Sequence, residues 1–378
     1  MMIRLQNIIL FVLLAFSGVY VSSWLIKPSY VAVIISFFIL TILTLRGVRY
    51  SFSSSIFILI AICVFYTIFN QFALEGELPT IIFYSCLILI PLLVSTFKSS
   101  TSKSNILLVS YIILIIYYSF ETFIRITNPD YSHLPKTGDD GITSTFYIYK
   151  INSIAFEDSN FISVILVVYY ISLRSTALYS DIKVKYSLGL NIGLLTLILL
   201  TFSRSAYIGV LIFECMVLFF FKPDVNMKLR GLLVSIILVG GGICAHFIIE
   251  KIASDPSFIS KFYIVDLTVK YLSHASTLDI LFGIGFGNAI NVLGMGAHNI
   301  FIAIFIENGL IGTLLYLYIL IMLSIRYKLT MLLIIPISIM GLSFSQIAMP
   351  YFYVVIAWLI FVNEDRCEKI SKCCNAHL

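Results

Sequence analysis

Charged residues are scarce in this sequence. Only 11% of its 378 residues are Asp, Glu, Lys or Arg, whereas 60% are hydrophobic. A soluble domain carries roughly 25% charged residues, so the composition excludes an ordinary soluble protein. The net charge of +5 is small and scattered along the chain. Because there is no basic stripe, nucleic acid is not expected as a partner.

Cysteines and metal motifs are missing where they would be informative. Four of the seven cysteines fall inside apolar blocks and three lie in the C-terminal tail, so neither long hydrophilic loop contains one. This distribution argues against a disulfide framework. The tail group of Cys367, Cys373, Cys374 and His377 lacks the paired spacing of a zinc site. The loops hold no Asp-x-Asp motif, and we therefore expect neither a metal nor a cofactor.

The apolar residues fall into repeated blocks, most of them long enough to cross a hydrocarbon core of roughly 30 Å. Backbone groups in the bilayer must be satisfied internally, which favours helices, and the period-two alternation of a membrane β-barrel is absent. We predict an all-α polytopic transmembrane helical bundle of about 12 spans, forming one domain over 1–363 with a tail over 364–378. The predicted spans are 5–22, 30–45, 52–74, 80–97, 106–124, 158–173, 187–203, 205–221, 231–249, 305–325, 329–348 and 351–363.

The basic residues predict the orientation of these spans. With a cytoplasmic N-terminus, the inside segments hold sixteen Lys and Arg residues, whereas the short outside turns hold only Lys27 and Arg204. Both termini are therefore predicted to be cytoplasmic, in a multi-pass protein of the cytoplasmic (inner) membrane. Two long extracytoplasmic loops follow from this map, at about 125–157 and 250–297.

The second long loop contains a helical pattern. Asp255-Pro256 resembles an N-cap followed by proline at the first helical position. Apolar residues then recur at helical spacing and predict an amphipathic helix of about 18 residues at the membrane surface. Those apolar residues are Phe258, Phe262, Val265, Val269 and Leu272.

Arg204 is a basic residue in an outside turn between two apolar blocks. It could snorkel toward lipid phosphates, or it could form an anion site, because a guanidinium binds phosphate bidentately. Glu214 follows ten residues later within a span. A carboxylate at such a place is either functional or a hydrogen-bonded structural group, and the sequence leaves both alternatives open.

A glycine-rich stretch, LFGIGFG at 281–287, precedes His298. A Rossmann interpretation fails because no βαβ unit surrounds the stretch. Glycines instead allow close backbone approach and N–H nests that bind anions. His298 then opens the next apolar stretch, with Asn299 beside it. Glu307 points about 180° away from His298 on a continuous helix, so a direct dyad requires a break in that helix.

These residues resemble the O-antigen polymerase and ligase superfamily (the Wzy and WaaL types). The matching segments are TFSRSAYIG at 201–209 and LFGIGFGN…GAHNIFIAIFIENGLIG at 281–312. The turn arginine of that family falls on Arg204 and its histidine on His298. An arginine at the start of the outside helix is matched best by Lys261, with no tryptophan after it.

The resemblance implies a metal-independent glycosyltransferase at the outer face of the membrane, which moves a growing glycan from polyprenyl diphosphate to a lipid-linked repeat unit. Arg204 then stabilises the departing diphosphate, with Lys261 and Arg125 assisting. His298 is either the base for the acceptor hydroxyl or a second phosphate contact. The remaining substrate-binding residues are predicted to be Gly285, Gly287, Asn299 and Glu307. Membrane lipids, a chain-length regulator and a flippase are the implied partners.

Two alternatives stay open. The nearest is an O-antigen ligase, which transfers the finished glycan to lipid A-core. The other is a transporter such as a flippase for lipid-linked oligosaccharides, although the chain lacks the internal repeat that is typical of transporters.

Overall fold

The computed structural model describes residues 2–24, 26–47, 54–74, 79–100, 102–129, 148–150, 152–156, 158–221, 256–345 and 349–375. All regular elements in this part of the chain are helical. The α-helices are α1 (Met2–Phe16), α2 (Pro28–Leu45), α3 (Ser54–Leu74), α4 (Pro79–Ser99), α5 (Lys103–Thr127), α6 (Ser159–Tyr179), α7 (Ser187–Leu200), α8 (Arg204–Met216), α9 (Pro256–His274), α10 (Thr277–Phe282), α11 (Ala289–Leu293), α12 (Ile300–Arg326), α13 (Met331–Met340) and α14 (Pro350–Asn375). A π-helical turn (Val217–Phe221) continues α8, and 3₁₀ turns (Lys328–Thr330 and Gly341–Ser343) flank α13.

Four of the described helices are long and apolar enough to cross a membrane, namely α2, α5, α6 and α12. This confirms an all-helical structure with candidate membrane spans in the described residues, whereas the count of twelve spans stays a prediction. Shorter apolar segments lie in α1, α3, α4, α7 and around α13. The predicted span at 231–249 lies outside the described residues.

The core of the bundle is built around α6 and the first half of α14. Nearly every side chain of α14 from Pro350 to Val362 is buried. Trp358 packs edge-on against Phe97 of α4, and its indole N–H donates to Thr176 Oγ1 of α6 at 2.7 Å. Because α14 continues to Asn375, the predicted boundary between domain and tail at 363/364 falls inside a helix.

Contacts between helix termini place the ends of several described helices together at two ends of the bundle. At one end, Ser100 after α4 donates to Asn7 of α1 at 2.7 Å, and Lys98 pairs with Glu364 at 2.9 Å. At the other end α5 and α7 finish, while α6, α8 and α12 begin. We call this second end the Arg204 end.

Three helices occupy the described part of the second long loop. α9, with 19 residues from Pro256, confirms the helix predicted there, while Asp255 lies outside the described residues. Ile264 and Thr268 are buried, whereas Phe262 and Val269 are 63% and 60% exposed. The predicted apolar face is therefore the outward one, as expected of a helix that lies on a membrane surface.

Candidate functional site

Arg204 begins α8 directly after a tight turn from α7. α7 ends at Leu200, Thr201 is its C-cap, and Ser203 is the N-cap of α8. Phe202 has a φ of 54°, in the left-handed region that bulky side chains rarely adopt. The Arg204 side chain is exposed. The 201–204 turn therefore presents a guanidinium beside the N-terminus of a helix, where backbone N–H groups also favour anions.

Arg125 lies beneath this turn and is completely buried. Its Nε donates to Glu121 Oε1 at 3.0 Å, and its Nη2 donates to the Leu200 carbonyl at 3.0 Å. Its Nη1 donates to the Tyr149 carbonyl. All three nitrogens of the guanidinium thus have protein partners. This geometry does not support the predicted assisting contact between Arg125 and substrate.

A short segment at the end of α13, residues 340–343, contacts the middle of α8 and the beginning of α12. Gly209 of α8 packs so closely on Met340 that a Cβ added to it would lie 2.4 Å from Sδ. Gly341 packs in the same way on Ile300, with 2.5 Å between an added Cβ and Cγ2. These close approaches pack α8 and the start of α12 against one segment.

Lys261 reaches the same segment from α9. Its Nζ donates to Ser343 Oγ in the 3₁₀ turn at 2.7 Å. The elements that carry Arg204, Lys261 and His298 therefore all contact residues 340–343. These contacts place α8, α9 and α12 around one segment, and a joint site of the three side chains stays a prediction.

His298 occupies the turn before α12. It is half-buried and has a φ of 42°, again in the left-handed region. The helix cap is its neighbour Asn299, whose Oδ1 accepts the N–H groups of Phe301 at 2.9 Å and Ile302 at 3.3 Å. The imidazole lies over Gly296, where an added Cβ would be 3.5 Å from Nε2. His298 is thus not the residue that caps α12, and the predicted substrate contact of Asn299 stays a prediction.

α12 breaks at Gly309, which has a φ of 64° and a ψ of −174°. A break frees backbone carbonyls, which need other partners inside a membrane protein. The Ile306 carbonyl accepts the Ile284 N–H at 3.0 Å, and the Glu307 carbonyl accepts the Gly285 N–H at 3.0 Å. The Gly285 amide is therefore occupied within the protein, so it offers no N–H to an anion in this conformation.

Two side chains of α3 complete this arrangement. Tyr66 Oη donates to the Asn308 carbonyl at 2.7 Å and to the Phe282 carbonyl at 3.3 Å. Asn70 Nδ2 donates to the Phe282 carbonyl at 2.7 Å. The carbonyls exposed by the break in α12 and by the end of α10 are thus capped from a neighbouring helix.

Two glycines make the contact between α10 and α12 possible. A Cβ added to Gly283 would lie 2.4 Å from the Glu307 carbonyl, and one added to Gly309 would lie 2.4 Å from that of Leu281. Both glycines have positive φ. We call this contact the glycine lock. It accounts for part of the glycine-rich pattern through packing rather than through anion binding, while a role for Gly287 (φ 84°) stays a prediction.

Glu307 does not approach His298 through this break. The break falls at Gly309, beyond Glu307, so residues 300–307 stay helical. These seven steps of helix alone rise about 10 Å along the axis. The Glu307 side chain is 8% exposed, and its predicted role in substrate binding stays a prediction.

Glu214 belongs to an ion pair away from this end. It accepts hydrogen bonds from Tyr170 Oη and from Arg174 Nε, the latter at 3.3 Å. Its ten-residue separation from Arg204 corresponds to about 15 Å along α8. The structure therefore favours the structural alternative for this carboxylate.

Four residues that hold this end together were missed in the sequence, namely Tyr66, Asn70, Glu121 and Ser159. One signal was present: Glu121 lies four residues before Arg125 within an apolar run, and such i,i+4 opposite charges pair on a helix. The other three have partners that are distant in sequence, which no local pattern reveals.

The arrangement combines cationic groups and an imidazole at one end of a helical bundle, which suits binding an anion and moving a proton. Within the described ranges, no cluster of three or more His, Cys, Asp or Glu residues could hold a metal ion. No model of a known protein family matches the chain, and no curated protein matches its sequence significantly. The described residues define an all-helical protein with four candidate membrane-spanning helices and a candidate site at the Arg204 end.

Proposed function

We propose that the chain is a surface-polysaccharide polymerase, which lengthens a glycan carried on polyprenyl diphosphate at the outer face of the cytoplasmic membrane. The observation that carries the proposal is the common placement of Arg204 and His298. Arg204 is the first residue of α8 and comes two residues after Phe202, which has a positive φ. His298 has a positive φ itself and lies two residues before the start of α12. Both helices contact residues 340–343. Strained backbone of this kind clusters at functional sites.

In the proposed reaction the bond between the anomeric carbon of the donor and its diphosphate oxygen breaks. A bond to the hydroxyl oxygen of the acceptor sugar forms in its place. Arg204 and Lys261 stabilise the negative charge on the departing diphosphate. His298 takes the hydroxyl proton as a base. In the alternative His298 contacts the phosphate, and the departing diphosphate takes the proton.

The proposed topology has twelve spans, both termini in the cytoplasm and the Arg204 end outside. The contacts between helix termini and the outward apolar face of α9 support it. In a cysteine-free background, Lys270→Cys on α9 should react with an impermeant thiol reagent in intact cells, whereas Lys183→Cys should react only after lysis. The opposite labelling pattern would invert the map.

The function is tested by supplying purified protein in lipid vesicles with lipid-linked repeat units. A polymerase gives a ladder of integral multiples of the repeat. A strain without the chain then carries single-unit caps on its lipid A-core. Complete loss of caps would indicate a ligase, and repeat units retained on the cytoplasmic face would indicate a flippase. Either result would overturn the proposal.

A further inference from the structure

The 201–204 turn is held from several directions by partners distant in sequence. The Leu200 carbonyl accepts Arg125 Nη2 at 3.0 Å, and the Thr201 carbonyl accepts Ser159 Oγ at 2.8 Å. The Phe202 ring lies 6.2 Å from the ring of Tyr149, centroid to centroid. Three consecutive residues before the N-cap of α8 thus each contact a different part of the chain.

Arg125 links these contacts. Its guanidinium bonds both the Leu200 carbonyl and the Tyr149 carbonyl, so it joins the end of α7 to the segment whose ring packs on Phe202. The strain at Phe202 persists only if its surroundings fix it. Arg125 supplies directional bonds of this kind at the residue where α7 ends.

The charge of Arg125 is balanced inside the protein. Glu121 is the partner, one helical turn earlier, at 3.0 Å, and both side chains are 0% exposed. Burying two charges costs desolvation, and apolar residues of similar volume are often as stabilising or more so. Stability alone therefore does not explain why this ion pair is buried here. The bonds from the guanidinium to the Leu200 and Tyr149 carbonyls do explain it.

We propose that Arg125 is a positioning residue that, with Glu121 and Ser159, fixes the 201–204 turn and so aims Arg204. This inference rests on the proposed function for its effect on rate, but the effect on the turn is independent of it. Arg125 acts through Arg204 and does not touch substrate.

The test uses the double variant Glu121→Leu/Arg125→Met in the full-length protein in nanodiscs. It removes both buried charges at similar volume, so the protein should fold. We expect amide hydrogen exchange over 199–206 to accelerate about tenfold or more, because the turn then opens locally. The matched control is Glu214→Leu/Arg174→Met, which removes the ion pair farther along α8 and should leave exchange over 199–206 unchanged.

Activity gives the second readout. The Glu121→Leu/Arg125→Met variant should lose about a hundredfold in kcat, the loss expected when a catalytic group is misplaced by ~1 Å. In an Arg204→Ala background the same two substitutions should cost nothing further, since both act on one group.

Unchanged exchange, or losses that multiply with that of Arg204→Ala, would overturn the positioning role. If the double variant exchanges faster but the wild-type protein makes no glycan ladder, the proposed function is wrong. The role of Arg125 in fixing the turn then still stands. If the double variant fails to accumulate, Ser159→Ala removes the bond to the Thr201 carbonyl and tests the fixing of the turn by the same two readouts.

Discussion

The 201–204 turn and the glycine lock solve the same problem in opposite ways. Each interrupts helical structure inside the bundle and leaves backbone carbonyls without helical partners. At the turn, the buried guanidinium of Arg125 donates to the Leu200 carbonyl, and Phe202 adopts a positive φ. The lock meets them with neutral donors and backbone amides, and its left-handed positions are glycines.

This difference indicates that the 201–204 turn serves function and that the glycine lock serves stability. A glycine can adopt positive φ without steric cost, so the lock is a low-strain connection. A bulky residue at positive φ is retained where the surroundings force it, and such places are often functional. We therefore expect substitutions near the turns of Arg204 and His298 to reduce activity, and substitutions in the lock to reduce protein accumulation.

The largest activity effect is expected for His298. His298→Ala should fold and insert normally yet lower polymerisation by about 10²–10⁴-fold if the imidazole is the base. If it contacts phosphate, His298→Arg should restore part of the activity, as measured by the glycan ladder in vesicles.

The control for His298 is the exposed His274 at the end of α9. His274→Ala should leave chain elongation unchanged, because its ring bonds Ser273 and Lys270 of its own helix. Long glycan made by a well-expressed His298→Ala protein would remove His298 from the site.

Arg204 comes next. Arg204→Ala should reduce the rate by about 10²–10³-fold, the loss typical of removing one donor to a developing anion. Arg204→Lys should also lose most activity because an ammonium cannot bind phosphate bidentately. Arg326→Lys, at the opposite end of α12, serves as the control and should be fully active. A fully active Arg204→Ala protein at wild-type abundance would show that the 201–204 turn is not a functional region.

The glycine lock should respond in the opposite sense. Gly309→Ala forces a Cβ to within 2.4 Å of the Leu281 backbone at a φ of 64°, so we expect little folded protein. Gly294→Ala is the matched control, because Gly294 has a φ of 69° but open space around its Cα. It should incur only the left-handed conformation, roughly 1–2 kcal/mol, and still accumulate. Equal thermal stability of the two variants would contradict the lock.

The smallest effect is expected for Tyr66. Tyr66→Phe removes the hydroxyl that caps the Asn308 carbonyl and should cost about 1–3 kcal/mol, measured as a lower unfolding temperature in detergent. Tyr318→Phe changes an exposed tyrosine of α12 and should have no measurable effect. A wild-type unfolding temperature in Tyr66→Phe would show that another donor replaces the phenol.

The helical fold was predictable because a bilayer leaves the backbone few other options. Apolar blocks therefore marked most helices, but their ends were less certain. α12 starts at Ile300, before the predicted 305, because Asn299 caps it there. α13 is a ten-residue helix between two 3₁₀ turns, where a continuous span over 329–348 was predicted. Hydropathy is blind to such local hydrogen bonding.

The candidate site was predictable only where it is local. Two abutting apolar blocks disclosed the turn before Arg204, since a basic residue there is unusual outside the membrane. The partner of the Leu200 carbonyl is 75 residues away in sequence, beyond any local pattern. The glycine stretch left two interpretations open, because an anion nest and a close packing contact both require glycine. The contact of Gly283 with the Glu307 backbone, far along the chain, shows packing at that position.

The glycine lock has an evolutionary consequence. The Glu307 backbone fills the space that a side chain at Gly283 would need, and the Leu281 backbone does the same at Gly309. Neither glycine can therefore be replaced alone, and replacing both creates two clashes instead of one. Descendants of this chain should keep both glycines. A signature built on them would therefore record shared ancestry and packing, and it would carry no information about activity.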